Sequence, residues 1–353
     1  MVKIAIVVPP WIRVPPQRYG GIEMIAALLA DGLVGRGHDV TLFAVKESKT
    51  SARVYSIFDH EQYNVLSATQ SECLNTAITH SVGSYMAIAR DGDFDIVHDN
   101  TWKEGLASWC FVNIPVVHTI HGPINDQNKK FYSLFPGNTN VHFVTISKFQ
   151  QACLPNINYA GNVYNAIEID KYPYSDGGDG DGDGYLLYVG RFNPEKAPHV
   201  ACEVAEELGM RLILAGKASE PHEWKYFNKM VKPHLNDRIR YLGEVDDEYK
   251  KRLFKNAAAF VYPIQWDEPF GIVMIEAMAC GTPVVAYRRG AAPELIRDGV
   301  NGYLADDFDQ FLDRVRMVSR IRRSECRKYA EKNFSADAMV TGYENIYKKL
   351  LTE

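Results

Sequence analysis

The chain has 353 residues, 46% hydrophobic and 24% charged, with a formal net charge of −5. That composition belongs to soluble globular proteins, the length calls for two cores rather than one, and the charge gives no reason to expect nucleic acid. No apolar run approaches the ~20 residues that span a bilayer, and six scattered cysteines without a C-x-x-C pair read as reduced thiols of a cytoplasm, not as a zinc site or a disulfide framework.

The N-terminal run Lys3–Val8 is cut short by Pro9-Pro10, so it reads as a first buried strand and not as a secretory signal. Further short β-branched runs follow near 39–45, 95–98, 115–119 and 141–146. A helix starting near Ile22 carries Ile25, Leu28, Leu29 and Leu33 on one face and ends at Gly35 or Gly37. Gly20-Gly21 is not a dinucleotide fingerprint. The segment from Ser48 to Asp93 carries no specific signal; with Asn125–Phe135 it is expected to shape an acceptor site. The Asp/Gly run 176–184 reads as a flexible loop near a domain junction. It imitates half an EF-hand, but the twelfth position is Gly190. Its Asp-x-Asp lacks a rigid scaffold, so no metal site is expected there.

After that run the pattern restarts: strands at 185–189, 211–215, 239–242 and 258–262 alternate with helices at 197–208 and 247–255. This alternation predicts an α/β protein of two Rossmann-like domains whose parallel sheets face an interdomain cleft, with ligands at the carboxyl ends of the strands. The boundaries are expected at 1–170 and 171–335, with a C-terminal helix, about 336–353, packing back on the first domain. The basic stretch from Arg314 to Lys332 is most simply a solvated helix face; peripheral membrane contact is the sharper alternative.

Two loops carry chemistry. Gly190-Arg191-Phe192-Asn193-Pro194-Glu195-Lys196 joins a strand to a helix, and Arg191 with Lys196 suits a diphosphate. In Glu268-Pro269-Phe270-Gly271-Ile272, a turn opens a helix of about ten residues that Gly281 ends. Glu268 before the turn and Glu276 inside the helix flank unpaired N–H groups. That pattern suits a polyhydroxylated ligand bearing phosphate.

These motifs together resemble the retaining GT-B glycosyltransferases of family 4 (glycosyl transferases group 1). Further matches are Tyr19-Gly20-Gly21-Ile22-Glu23, Arg36-Gly37-His38-Asp39-Val40, Asp95-Ile96-Val97-His98 and Asp298–Leu304. The resemblance implies a hexosyltransferase that moves a hexose from a nucleoside diphosphate sugar, UDP-glucose or similar, to a hydroxyl of a carbohydrate, small-molecule or lipid-linked acceptor. It implies no cofactor and no metal. Arg191 and Lys196 would clamp the diphosphate. Gly20 and Gly21 would admit it close to the backbone, and Glu276 would bind the ribose. Glu268, with the N–H groups of Phe270, Gly271 and Ile272, would bind the transferred sugar. The base would rest on Gly243–Val245, and His121 would stand beside the sugar. One departure is Ala197-Pro198, where the family often has glycine, which is expected to alter the helix start. The rival readings are a sugar-nucleotide epimerase or phosphorylase of similar shape, and a non-catalytic nucleotide-sugar binder.

Overall fold

A computed structural model describes residues 1–17, 20–135, 137, 139–176 and 184–352. Tyr19 of the Gly20-Gly21 motif and most of the Asp/Gly run lie outside the described residues. The chain divides into two units, Met1–Ala166 with Ala336–Glu353, and Ile167–Ser335.

The first unit is built on a seven-stranded parallel sheet. Its strands are β1 (Lys3–Val7), β2 (Asp39–Phe43), β3 (Arg53–Tyr55), β4 (Ile96–Asp99), β5 (Val116–Ile120), β6 (Val141–Thr145) and β7 (Tyr159–Asn162), in the order β3-β2-β1-β4-β5-β6-β7. β4 and β5 are buried along their whole length and β1 beyond Lys3, so the sheet centre has both faces covered, and the polar His98, Asp99, His118 and Thr119 are buried with it. One face packs against the helix Gly21–Gly35 and the C-terminal helix Ala336–Thr352. The second carries the 22-residue helix Gln70–Asp91. That helix fills part of the segment the sequence left unread. Its start is a capping box, with Glu72 N donating to Thr69 and the Glu72 carboxylate accepting from Thr69 N at 3.0 Å, and left-handed Gly92 stops it.

The C-terminal helix is fastened to the sheet by a buried polar chain. His98 on β4 bonds Tyr347 through Nδ1 and Thr119 Oγ1 through Nε2 at 2.8 Å, and Thr119 meets Tyr343 OH at 3.0 Å. At its edge Glu344 pairs with Arg36 and His38.

The second unit holds a six-stranded parallel sheet: β8 (Leu186–Val189), β9 (Leu212–Ala215), β10 (Ile239–Tyr241), β11 (Ala259–Tyr262), β12 (Val284–Tyr287) and β13 (Gly302–Ala305), in the order β10-β9-β8-β11-β12-β13. In each sheet the strand order reverses once, between β1 and β4 in the first and between β8 and β11 in the second. Such switch points are where open α/β sheets bind ligands.

Within the basic stretch after residue 314, Arg316, Arg322 and Lys328 keep to the expected solvated face, and Arg323 and Arg327 depart from it. On the helix Arg323–Phe334, Arg323 donates to the carbonyls of Ser175 and Ala257, both at 2.8 Å, and to those of Lys255 and Cys280. Arg327 donates to Tyr172 O and Ala279 O, both at 2.9 Å. Ala279 and Cys280 close the helix Ile272–Ala279, so two guanidinium groups satisfy carbonyls at the negative end of its dipole. A charge run on the sequence does not say which of its members meets carbonyls. Arg323→Met is expected to destabilise the protein by ~2–3 kcal/mol, the scale of charged hydrogen bonds lost to buried acceptors; a urea titration of the variant against the parent measures it.

Candidate functional site

The second unit's site forms at its switch point from the loops after β8 and β11. After β8 the chain runs Gly190-Arg191-Phe192 along the loop after β9. An added Cβ on Gly216 would lie 2.0 Å from the carbonyl oxygen of Gly190, and Gly216 has φ +135°. Glycine is therefore required where these two loops touch. Lys196 ends the loop. Its N–H is held by Asn193 Oδ1 at 2.9 Å, and the helix Pro198–Leu208 starts two residues later. Ala197 caps that helix in the left-handed region at φ +48°, a conformation that glycine adopts at less cost. With Pro198 fixed at the first helical position, the helix starts cleanly there.

Lys196 and Glu268, 72 residues apart, form an ion pair. Their side chains are 16% and 12% exposed, so the pair is largely withdrawn from water yet still reachable. Glu268 Oε2 also accepts from Tyr262 OH at 2.9 Å and Trp266 Nε1 at 3.1 Å. Lys196 Nζ donates to Tyr262 OH at 3.0 Å and sits 4.9 Å from the centre of the Trp266 ring. The backbone of Glu268 is fixed from below: Ala291 N donates to its carbonyl at 2.9 Å, and a Cβ on Gly290 would lie 2.4 Å from Glu268 N. Phe270 is buried behind the turn, and Gly271, at φ +89°, caps the helix that begins at Ile272. The helix has eight residues.

Arg191 forms no hydrogen bond or ion pair with Lys196 or Glu268. It reaches Glu223, with Nε at 2.9 Å and a terminal nitrogen at 2.6 Å from Oε1. Glu223 is fully buried and accepts from Ser219 N at 2.7 Å and Glu220 N at 3.2 Å. Burial alone raises its pKa; these N–H groups and Arg191 outweigh that and hold it below the ordinary carboxylate range. The Arg191 side chain is half exposed, so one side of the guanidinium is anchored and the other is open.

Glu276 lies one turn inside its helix. Its Oε1 accepts from Tyr172 OH and from Lys250 Nζ, both at 2.8 Å. Burial lowers the Lys250 pKa, but Glu276 and Asp247 more than reverse this, and it stands above its usual value. Gly243, at φ +75°, turns the chain after β10, and its carbonyl accepts from Gly216 N at 2.8 Å. Val245 follows, half-buried, before the helix Asp247–Asn256. Glu223, Lys250 and Tyr172 carry no signal in the sequence, where they look like ordinary members of polar helices or loops.

In the first unit, Gly20 precedes the helix that starts at Gly21 after β1, and Asn100 follows β4. His121 follows β5, with Nε2 2.9 Å from Asn100 Oδ1. Burial first, and then the neighbouring His118, push its pKa down to about 3, so the imidazole is neutral at physiological pH.

With this geometry in view, residues 19–154 match the model of Glycosyltransferase Family 4 and residues 176–333 that of Glycosyl transferases group 1. The chain belongs to the group 1, family 4 glycosyltransferases. It is similar to Spore coat protein SA of Bacillus subtilis, 24% identical across 98% of this chain and 99% of that protein. It is also similar to the D-inositol 3-phosphate glycosyltransferase of Corynebacterium efficiens, 23% identical across 94% and 91%. Among solved structures, Anabaena HepE in complex with UDP-glucose superposes with a TM-score of 0.73 at 18% identity, covering all of both chains. The fold is GT-B.

The buried histidines of this glycosyltransferase set a pH limit. Burial lowers the pKa of His98 to about 3 and that of His80 to about 4, against an unfolded value near 6.5. Above about pH 6.5 neither state binds these protons, and stability is unaffected. As pH falls from there toward 4, only the unfolded chain takes them up; with His121, likewise lowered to about 3, the three histidines remove ~4 kcal/mol of stability per pH unit, and buried Glu23, raised to about 7 and protonated first in the folded state, gives back ~1.4 of it. Urea midpoints measured from pH 8 to 5 are expected to be flat above 7 and to fall steeply below 6.

Proposed function

We propose that this glycosyltransferase moves a hexose from a nucleoside diphosphate sugar of the UDP-glucose type to an acceptor hydroxyl, with retention of anomeric configuration and without a metal. The observation that carries this reading is the Lys196–Glu268 pair, set beside a half-open Arg191 at the second sheet's switch point. HepE, solved with UDP-glucose on the same fold, supports the choice of donor.

In this reading the second unit holds the donor. Arg191, anchored on Glu223, turns its free edge to the diphosphate, and Lys196 adds a second positive charge. Together they offset the charge that develops on the leaving phosphate, a role that elsewhere falls to a metal. Glu276 has its Oε1 engaged by Tyr172 and Lys250, which aims Oε2 at the ribose hydroxyls. Glu268 accepts hydroxyls of the transferred sugar beside the N–H groups of Phe270, Gly271 and Ile272. The nucleotide base rests on the backbone of Gly243–Val245, and Gly20-Gly21 admits the phosphates from the first unit.

Attack from the face the diphosphate leaves lets a phosphate oxygen take the acceptor proton, so no protein nucleophile is assigned. Neutral His121 is a hydrogen-bonding partner for the sugar, not a proton shuttle tuned to pH 7.

Two variants separate the roles. Lys196→Ala is expected to weaken UDP binding at least tenfold and to lower transfer by 10²-fold or more. Glu268→Gln removes the group that competes for Lys196, so UDP should bind as tightly as in the parent or tighter while transfer falls. Calorimetry with UDP, together with UDP release from UDP-glucose in EDTA, reads both; unchanged UDP affinity in Lys196→Ala, or activity that vanishes in EDTA, contradicts the proposal.

A further inference from the structure

The first unit contains a cavity of about 550 Å³ at its own switch point, between the segments that follow β1 and β4 and the helix Gln70–Asp91. Its floor and walls are Pro10, Trp11, Leu66, Leu74, Ala77 and Trp102. Trp102, Leu66 and Leu74 are 39%, 45% and 47% exposed, a costly arrangement for side chains that nothing covers. Thr101, buried among the lining residues, is next in sequence to Asn100, which contacts His121. The cavity therefore opens at the same sheet edge as the histidine of the proposed site.

Its electrostatics are as informative as its shape. No lysine or arginine is among the lining residues, and Glu104 contributes a carboxylate. The chain has no lysine or arginine between Arg53 and Arg90, a stretch that supplies the outer wall and contains Asp59, Glu61 and Glu72. Among the described residues, the cations flanking the lining segments at 13 and 103 are engaged. Arg13 bonds Glu61 at 2.8 Å, and Lys103 lies over the Phe131 ring at 5.6 Å. Among the described lining residues a phosphorylated acceptor would meet no cation and one carboxylate, Glu104, which disfavours it. An oligosaccharide filling this volume would present more hydroxyls than Gln70, Ser81, Thr101 and Glu104 can pair. Two indoles and several aliphatic side chains suit a flat apolar body.

We propose that this cavity is the acceptor site and that it takes an uncharged molecule with an aromatic or alicyclic ring body, its hydroxyl directed toward Thr101 and His121. The proposal rests on the transferase reading above and gives that reading an acceptor class.

The test is calorimetric, on the full chain saturated with UDP. 2-Naphthyl β-D-glucoside is expected to bind at least tenfold more tightly than methyl β-D-glucoside, and myo-inositol 1-phosphate no more tightly than the methyl glucoside. Trp11→Ala and Leu74→Arg should each weaken the naphthyl ligand at least fivefold while leaving the UDP dissociation constant within twofold. Leu74→Arg should also improve myo-inositol 1-phosphate relative to the parent. Equal affinity for the naphthyl and methyl glucosides, tighter binding of the phosphate or of maltotriose, or naphthyl binding untouched by both variants overturns the proposal. Failure of UDP itself to bind the parent protein sinks the donor reading instead, so the two failures are told apart.

Discussion

The ion pair between Lys196 and Glu268 is the interaction on which the site depends. It joins the loop after β8 to the loop after β11 across the switch point, and Tyr262 and Trp266 hold both ends in place. A pair so withdrawn from water gains little net stability, because desolvation offsets most of the attraction. Its value is positional. A long lysine side chain that would otherwise sample many rotamers is kept where a diphosphate can take over its charge. On the proposed function, the Glu268 carboxylate would then be free to accept sugar hydroxyls. In that reading, one contact would thus couple arrival of the phosphate to exposure of the sugar-binding group.

The surrounding structure keeps that pair in register. Gly216 lets the loops after β8 and β9 touch, Gly290 lets the chain pass against Glu268, and left-handed Gly271 starts the helix that begins at Ile272. Arg323 and Arg327 neutralise the other end of the same helix. Glu223 does for Arg191 what Tyr262 and Trp266 do for Lys196 and Glu268: it fixes one side of a charged group and leaves the other side free. The first unit is organised around its own switch point, with a neutral histidine at the strand end and an apolar cavity in place of charge.

Much of this was legible in the sequence because its signals are local. The run from Glu268 to Val285 contains a turn, a helix start, a glycine stop and a buried strand within eighteen residues, and each is a short-range preference. The Arg191–Lys196 loop announces itself by lying between a strand and a helix. What stayed hidden depends on distant partners. Nothing near Glu223 in the chain signals that it would be buried under Arg191, 32 residues away, and Lys250 sits in a Lys-Lys-Arg run that reads as solvated. The edge strands β3 and β7 are short, and Tyr-Ala-Gly-Asn in β7 has little β-propensity of its own. The helix Gln70–Asp91 carries no clear periodic signal, because its apolar positions are interleaved with Ser, Thr and His.

The central claim is that the Lys196–Glu268 pair yields its lysine to a donor diphosphate. A crystal structure of the protein soaked with UDP tests it most directly. The account predicts a phosphate oxygen within hydrogen-bonding distance of both Lys196 Nζ and Arg191, a ribose hydroxyl on Glu276, and a lengthened Lys196–Glu268 contact. Nucleotide bound elsewhere, or bound here with the ion pair intact and Lys196 turned away from the phosphates, would contradict it.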